Sequence, residues 1–508
     1  MVKKTNTNNN LICPFMTFMV QKIKTMWLKK ILLYILLLSA IIVNAQAPKK
    51  FYCRYGGNGY DEGNDVKQTL DGGYIIVGST SSIGQGNTDM YLLKIDSMGQ
   101  KVFEKTFGGV SNEIGKSVVQ LSDSSYVMAG YTSSSGVGGY DVFLVKADKA
   151  GNLIWQKTIG GTDWDFANSM NATADGGFII AGTTYSYGHG NADGFVIKTD
   201  ANGDTTWTKT FGGLKDDEFK SVIQTSDGNY TLTGYTKSFN DSLGDGWIIR
   251  IDQNGIATYT TSVGGLYSDV LNDVIELTNT NLYFVGSNKS YKNGTNTVNW
   301  RYSINSSNGF VLDDYIGNTN TERYNSSAVG LNGTIISVGY NNYVGASSDA
   351  NIHVYTPNLG YISYFPFGVE NTDELFSISK TKDKGFVSVG TCFGNTSLLK
   401  DILFVKTDSL GQYGNSIIGI EEKEQVKLVL EIYPNPASDY INIKISNHKN
   451  YKKIHYQITD LNGRVVLSST INEFIKSVEI STLSDGLYLL QIFDSNKLLS
   501  SSKISVIK

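Results

Sequence analysis

The residues of this 508-residue chain best placed to do chemistry are carboxylates at a fixed spacing. Asp61, Glu113, Asp165, Asp217, Asp269 and Asp373 fall at multiples of 52 residues, with Thr321 the interruption. A second set, Asp89, Asp141, Asp193, Asp245, Asp349 and Asp401, keeps the same spacing, with Thr297 as its exception. Carboxylates that converge can hold calcium or a basic partner. They can equally accept the backbone N–H groups of nearby loops, and most of the first set follow a Gly-Gly pair. A residue repeated in nearly every unit is more often a fold element than a ligand. Loop capping is therefore expected of both sets, and a calcium-binding acidic ring is the alternative. A third set, Lys94, Lys146, Lys198, Arg250 and Lys406, could pair with the Asp89 set.

Other chemistries find little support. The cysteines are Cys13, Cys53 and Cys392, the histidines His189, His353, His448 and His455, and none has metal-ligand or Cys-His nucleophile spacing. Gly84-Gln85-Gly86 and Gly188-His189-Gly190 open no helix, so they are not nucleotide fingerprints. The net charge of −4 offers no footprint for nucleic acid. No cofactor is expected. Aromatic residues in loops, namely Tyr60, Trp164, Tyr185, Tyr187 and Phe239 with His189, are the candidates for stacking on sugar rings. The functional expectation is a non-catalytic module that binds a glycan or a protein. The alternative is a polysaccharide hydrolase or lyase with an unrecognised site in the same loops.

What must position these residues is a 52-residue repeat. Tyr55-Gly56-Gly57, Phe107-Gly108-Gly109, Ile159-Gly160-Gly161, Phe211-Gly212-Gly213 and Val263-Gly264-Gly265 mark it. Gly317 and Val369 continue the register, and Phe51 to Gly414 makes seven units. Each unit reads as four strands, a to d. In the second, Lys116–Leu121 is a, Tyr126–Tyr131 is b, Val142–Asp148 is c and Leu153–Ile159 is d, with Asp-Gly or Asn-Gly turns in equivalent places. Strands b and c are apolar at almost every position, as strands buried on both faces must be. The composition agrees, with 54 Gly, 31 Tyr, 22 Phe and 6 Pro. Seven such units closed in a ring give an all-β, seven-bladed β-propeller over residues 51–418. A linear solenoid would need polar end caps, and none is visible. Phe51–Tyr55 sits in strand d register, so it should complete the seventh blade and tie the ring shut. Cys53 and Cys392 would then flank strand c about 10 Å apart, beyond disulfide reach. The long b–c and d–a loops share one end of the ring, and that end is the expected binding face.

Gly160-Gly161, Asp175-Gly176-Gly177, Gly182-Thr183-Thr184 and Asp193-Gly194-Phe195-Val196-Ile197-Lys198 resemble the bacterial β-propeller repeat family labelled SBBP. The resemblance is good over the first four units. It lapses at Asn299-Trp300-Arg301-Tyr302 and Asn351-Ile352-His353-Val354, and it implies a fold rather than a reaction.

Both ends carry signals of export. Lys22, Lys24, Lys29 and Lys30 precede an apolar run from Ile31 to Val43, and Val43-Asn44-Ala45 precedes Gln46. This pattern predicts a signal peptide over residues 1–45, cleaved between Ala45 and Gln46, with translation starting at Met1, Met16, Met19 or Met26. A membrane anchor is the alternative, although the run is short for a span. Glu421–Lys427 is charged, and 419–430 reads as a linker. Residues 431–508 alternate strands with Asn-Gly and Asp-Gly turns, which predicts a small Ig-like β-sandwich. Three motifs lie there. The first holds Tyr433-Pro434-Asn435-Pro436, the second Asp460 to Gly463, the third Gly486 and Tyr488, and the chain ends on Lys508. In this order they resemble the type A sorting domain of the type IX secretion system. The resemblance implies a Bacteroidota-type bacterium, Sec export to the periplasm, recognition by the type IX machinery, and release or attachment at the cell surface. An Ig-like adhesive domain is the alternative.

Overall fold

The computed structural model describes residues 50–508 apart from 240–242, 278–279, 306–308, 318–320, 343–347, 369–371, 394–398, 414–428, 447–453, 461–463, 472–474 and 495–496. The expected signal peptide with Ala45 and Gln46, most of the expected linker, and Gly463 lie outside the described residues. The chain divides into two compact units after Ile418. No helix among the described residues is long and apolar enough to cross a membrane.

The first unit is a β-propeller. Its described residues form seven four-stranded antiparallel sheets, or blades, each in the order a-b-c-d. The second blade comprises Glu113–Gln120, Tyr126–Thr132, Asp141–Ala147 and Leu153–Ile159. Strand a therefore begins at the acid and not at Lys116, because Glu113 already pairs with Thr132 of strand b. A buried apolar cluster joins each blade to the next. Val387, Val389, Ile402 and Phe404 of the last blade pack with Val66, Tyr74, Ile76 and Leu93 of the first, so the ring closes. As expected, Phe51–Tyr55 supplies the outer strand of the last blade, pairing Cys53 with Phe404. Cys392 pairs with Asp401 on the other side of the same strand. Cys53 and Cys392 are buried and not joined in a disulfide, and burial pushes their thiols up to about 11 and about 12.

The register explains one recurring glycine. Gly78, Gly130, Gly182, Gly234 and Gly286 in strand b face Tyr91, Phe143, Phe195, Trp247 and Trp300 in strand c. A Cβ at Gly130 would lie 1.8 Å from the Ile114 carbonyl oxygen of strand a. The sixth blade breaks the pairing, because Gly339 faces Asn351.

The two gaps in the acid series are one-residue slips. Val298 pairs with Asn288 where Asp141 pairs with Thr132, so the fifth unit has gained a residue before strand c. In the sixth unit Glu322, not Thr321, pairs with strand b as Asp61 pairs with Thr80.

The second unit holds two sheets around one core. Val429–Tyr433, Tyr440–Ser446 and Ile475–Glu479 form one, and Ile454–Thr459, Val465–Thr470, Gly486–Asp494 and Lys497–Val506 the other. Ile441 and Ile443 from the first bury against Ile458, Leu490, Ile492 and Ile504 from the second. Val429 and Leu430, read in the sequence as linker, are already paired with Ser446 and Ile445.

Candidate functional site

The six repeated acids are buried where the d–a loop enters strand a. Asp61 Oδ2 accepts Gly57 N–H at 2.7 Å and Ser82 O–H at 2.6 Å, and Thr80 donates to its other oxygen. Glu113 accepts Gly109 N–H at 2.8 Å and Thr132 O–H at 2.7 Å. Asp165 accepts Gly161 N–H and Ser186 O–H, each at 2.7 Å. Asp217 and Asp269 repeat the grip on Gly213 and Gly265, at 2.8 and 2.9 Å, with Ser238 and Ser290. Asp373 is buried in the same position before strand a of the last blade. Glu322 joins this set, accepting Asn299 Nδ2–H at 2.8 Å. A search at fixed 52-residue spacing passes over it because of the slip.

The Asp89 set holds the b–c loop. Asp89 accepts Gly86 N–H at 3.0 Å, Asp141 accepts Val137 N–H at 2.9 Å, and Asp193 accepts His189 N–H at 2.8 Å. The two sets meet at the junctions marked by Gly56, Gly160, Gly212 and Gly264. A Cβ at Gly160 would stand 1.8 Å from Asp141 Oδ1 and 2.8 Å from Asp165 Oδ2. Burial, with Asp165 nearby, raises the Asp141 pKa. Burial and then Asp61 push Asp401 up to about 6, against the pull of Arg54. Among the described residues, no group of three or more His, Cys, Asp or Glu side chains is arranged to hold a metal ion.

The expected pairing of the Asp89 and Lys94 sets does not occur. The two residues sit at opposite ends of strand c, Asp89–Ile95. The cations reach instead to the a–b turn of their own blade. Lys94 pairs with Asp71 at 3.2 Å, Lys198 with Asp175 at 2.8 Å, Arg250 with Asp227 at 2.7 Å and Lys406 with Asp383 at 3.0 Å. Burial opposes ionisation of Asp175, but Lys198, Thr173 and the Gly177 N–H outweigh it and hold its carboxyl down to about 2.

The loop aromatics divide into two groups. Tyr187 and Phe239 pack on their own blades, against Phe195 at 5.9 Å and Trp247 at 5.9 Å, and Tyr60 stands exposed. Trp164 and Tyr185 belong to a five-ring cluster with Tyr131, Tyr140 and Phe166 at the junction of the second and third blades. Trp164 lies edge-to-face with Tyr140 at 6.2 Å, Phe166 at 6.3 Å and Tyr185 at 6.0 Å. Tyr131 closes the group on Phe166 at 4.9 Å. Trp164 remains 49% and Tyr185 43% exposed. Tyr131, Tyr140 and Phe166 carried no signal in the sequence, because only the packing of one blade on the next brings strand a of one beside strand b of the other.

A second polar group lies between the fifth and sixth blades. The Arg301 guanidinium sits 4.0 Å from the centre of the Tyr355 ring, donates to the Leu359 carbonyl at 2.9 Å and pairs with Asp314. Tyr324 and Tyr355 share a hydroxyl hydrogen bond. His353 packs on Tyr364 at 4.7 Å and Tyr324 at 5.2 Å. Burial, and then Arg301, push the imidazole down to about 3, so it is neutral at physiological pH.

In the C-terminal unit the motif residues hold strand ends together. Asn435 Nδ2 donates to the Lys503 carbonyl at 2.9 Å, and its Oδ1 accepts Ser505 N–H at 2.8 Å. Tyr433 is exposed, and the Tyr433-Pro434 and Asn435-Pro436 bonds are cis. Asp460 accepts Arg464 N–H at 2.9 Å. Gly486 adopts φ 156°, and Tyr488 O–H donates to the Ser484 carbonyl at 3.0 Å. Lys508 N–H donates to Asp485 at 3.0 Å, and its ammonium to the Ser481 carbonyl.

Residues 431–508 match the secretion system C-terminal sorting domain family. The chain thus carries a type IX sorting domain, which indicates export and either secretion or attachment at the cell surface, and implies contact with the type IX machinery. The regulatory protein FlaEY of Caulobacter vibrioides is 30% identical over 212 residues, 35% of this chain. The match spans 22% of that relative's length. Similar solved structures include the Pan2 WD40 domain of Neurospora crassa, at 10% identity and TM-score 0.44 over 72% of this chain and 98% of that one. The extracellular domain of a hybrid two-component system from B. thetaiotaomicron is 11% identical, with TM-score 0.40, 90% of this chain and 57% of that one. PorZ, a surface component of the type IX secretion system of Porphyromonas gingivalis, is 14% identical, with TM-score 0.32, 86% of this chain and 64% of that one.

Proposed function

We propose that this chain is a surface-attached or released binding module that recognises a glycan or a protein through its b–c and d–a loops without transforming it. Residues 1–45 serve as its signal peptide. The observation that carries the reading is the half-exposed Trp164–Tyr185 pair at one junction of an otherwise repeated loop face. A non-repeated feature on a repeated scaffold is where specific recognition belongs. We read Asp61, Glu113, Asp165, Asp217 and Asp269 as caps of the Gly-Gly loops, supported by the donors they already accept, and Asp373 by its equivalent position.

The test applies the purified full chain to a glycan array and to surface proteins of the producing cells, with and without calcium, with product analysis on every ligand retained. Saturable binding with unchanged ligand is expected. Cleavage of a bound polysaccharide would replace this reading with that of a hydrolase or lyase. Asp165→Ala and Asp217→Ala are expected to lower the unfolding midpoint without making binding calcium-dependent, and a calcium requirement lost in both variants would restore the acidic ring as a site.

A further inference from the structure

We infer that Trp164 and Tyr185 form a subsite for an uncharged sugar ring; the inference rests on the reading of the loop face as a binding surface. The Trp164 indole is held on three sides. Tyr140, Phe166 and Tyr185 meet it at interplanar angles of 82°, 75° and 68°. Beneath it the chain approaches so closely that a Cβ at Gly139 would lie 2.0 Å from the indole Cδ1. Backbone bonds fix the loop, with Tyr185 N–H donating to the Trp164 carbonyl at 2.8 Å and Asp165 N–H to the Tyr140 carbonyl at 2.6 Å. An exposed aromatic held this firmly loses little rotational freedom when a ligand covers it.

The polar groups around it select the class of ligand. Asp163 is exposed beside the indole, and one of its oxygens accepts Trp164 N–H at 3.0 Å. Asp216 is paired with the Lys237 ammonium at 2.8 Å, and Glu218 with Lys220. Those two carboxylates are thus occupied by lysines, which leaves Asp163 as the acid placed to accept a hydroxyl from a ligand on the indole. The exposed rings meet edge-to-face and do not wall a cage, which is how aromatic groups hold a quaternary ammonium. What fits is a flat apolar face with hydroxyls at its rim. Carbon–hydrogen bonds of a pyranose would lie on the indole, with hydroxyls directed to Asp163 and the Tyr185 hydroxyl. The equivalent positions are Asn112 and Asp216, which carry no ring, and Tyr60, which has Ser81 in place of Tyr185, so the paired rings are not repeated at those junctions.

The experiment titrates the full chain with neutral glucan, mannan, galactan and N-acetylglucosamine oligosaccharides, reading tryptophan fluorescence and calorimetric affinity. At least one series is expected to bind. Affinity should fall at least ~tenfold in Trp164→Ala and in Gly139→Ala, which displaces the indole while keeping it, and less in Trp164→Phe. Tyr259→Ala, an exposed aromatic on the outer strand Ala257–Val263 and outside the b–c and d–a loops, should bind as the parent does, and thermal unfolding of each variant separates lost binding from lost fold. Binding that survives Trp164→Ala overturns the subsite and leaves the binding-module reading intact. Failure of every oligosaccharide to bind also overturns it, and the protein arm of the preceding test then decides the function. Binding through Trp164 with cleavage keeps the subsite and sinks the non-catalytic reading.

Discussion

The junction of the third and fourth blades and that of the fifth and sixth are built on the same backbone and filled in opposite ways. At the first, Ile179, Ala181 and Val196 meet Phe219, Leu232, Trp247 and Ile249, and Trp247 stacks on Phe219 with centroids 4.7 Å apart. At the second, Tyr283, Val285 and Arg301 meet Tyr324, Tyr355, His353 and Asn351, all buried. Asn351 stands where Trp247 stands in its own blade, and both polar atoms of its side chain lack a hydrogen-bond partner. His353 Nδ1 and Arg301 Nε are in the same condition. The blade backbone tolerates replacement of an apolar interface by a polar one; Trp247 Nε1 lacks a partner at the apolar junction, and four side-chain atoms of Asn351, His353 and Arg301 lack one at the polar junction. The polar junction should be the weaker joint of the ring.

The largest effect is expected from breaking the apolar junction. Trp247→Ala removes a fully buried indole and should cost about 3–5 kcal/mol, read from the urea unfolding midpoint. A loss under about 1 kcal/mol would show that the regular junctions do not carry the ring.

Acid should act on the polar junction next. The pKa of His353 is lower in the folded than in the unfolded chain, so its neutral form favours folding. Its contribution is complete above about pH 6.5 and is lost as pH falls towards about 3. At pH 5 the loss is about 2 kcal/mol. Arg301, Tyr324, Tyr355 and Tyr364 surround the ring and offer no anion to offset protonation. Unfolding midpoints at pH 7 and pH 5 should separate the parent from His353→Phe, which lacks this acid sensitivity. Equal sensitivity in both would place the acid-labile group elsewhere.

The smallest effect sharpens the comparison. Asn351→Leu copies Leu403, its counterpart in the last blade, and removes two buried unsatisfied atoms. It should raise stability by about 1–2 kcal/mol. Destabilisation would mean that ordered water or a bound group satisfies Asn351 in solution.

Strand order and ring closure by Phe51–Tyr55 were legible through the 52-residue register, and the sorting module through the resemblance of its three motifs to a known family. Alternating turns, Gly-Gly loops and apolar b and c strands recur without reference to distant residues. The Lys94 set was assigned the wrong partner because spacing gives position along the chain and not the end of a strand. Glu322 was passed over because a fixed period cannot follow a one-residue slip that pairing with strand b absorbs.

A repeated, all-β chain could be read from the residues alone, because hydrophobic periodicity and turn chemistry act over a few residues, whereas export was implied by the resemblance of the C-terminal motifs to a sorting domain. Only the tertiary structure decided which side chains meet between blades. The seating of Trp164 on Gly139 and the cover of Arg301 by Tyr355 and Leu359 depend on neighbours about 25 to 60 positions away in the chain. Side-chain packing across blades follows ring geometry, and no pattern within one repeat encodes it.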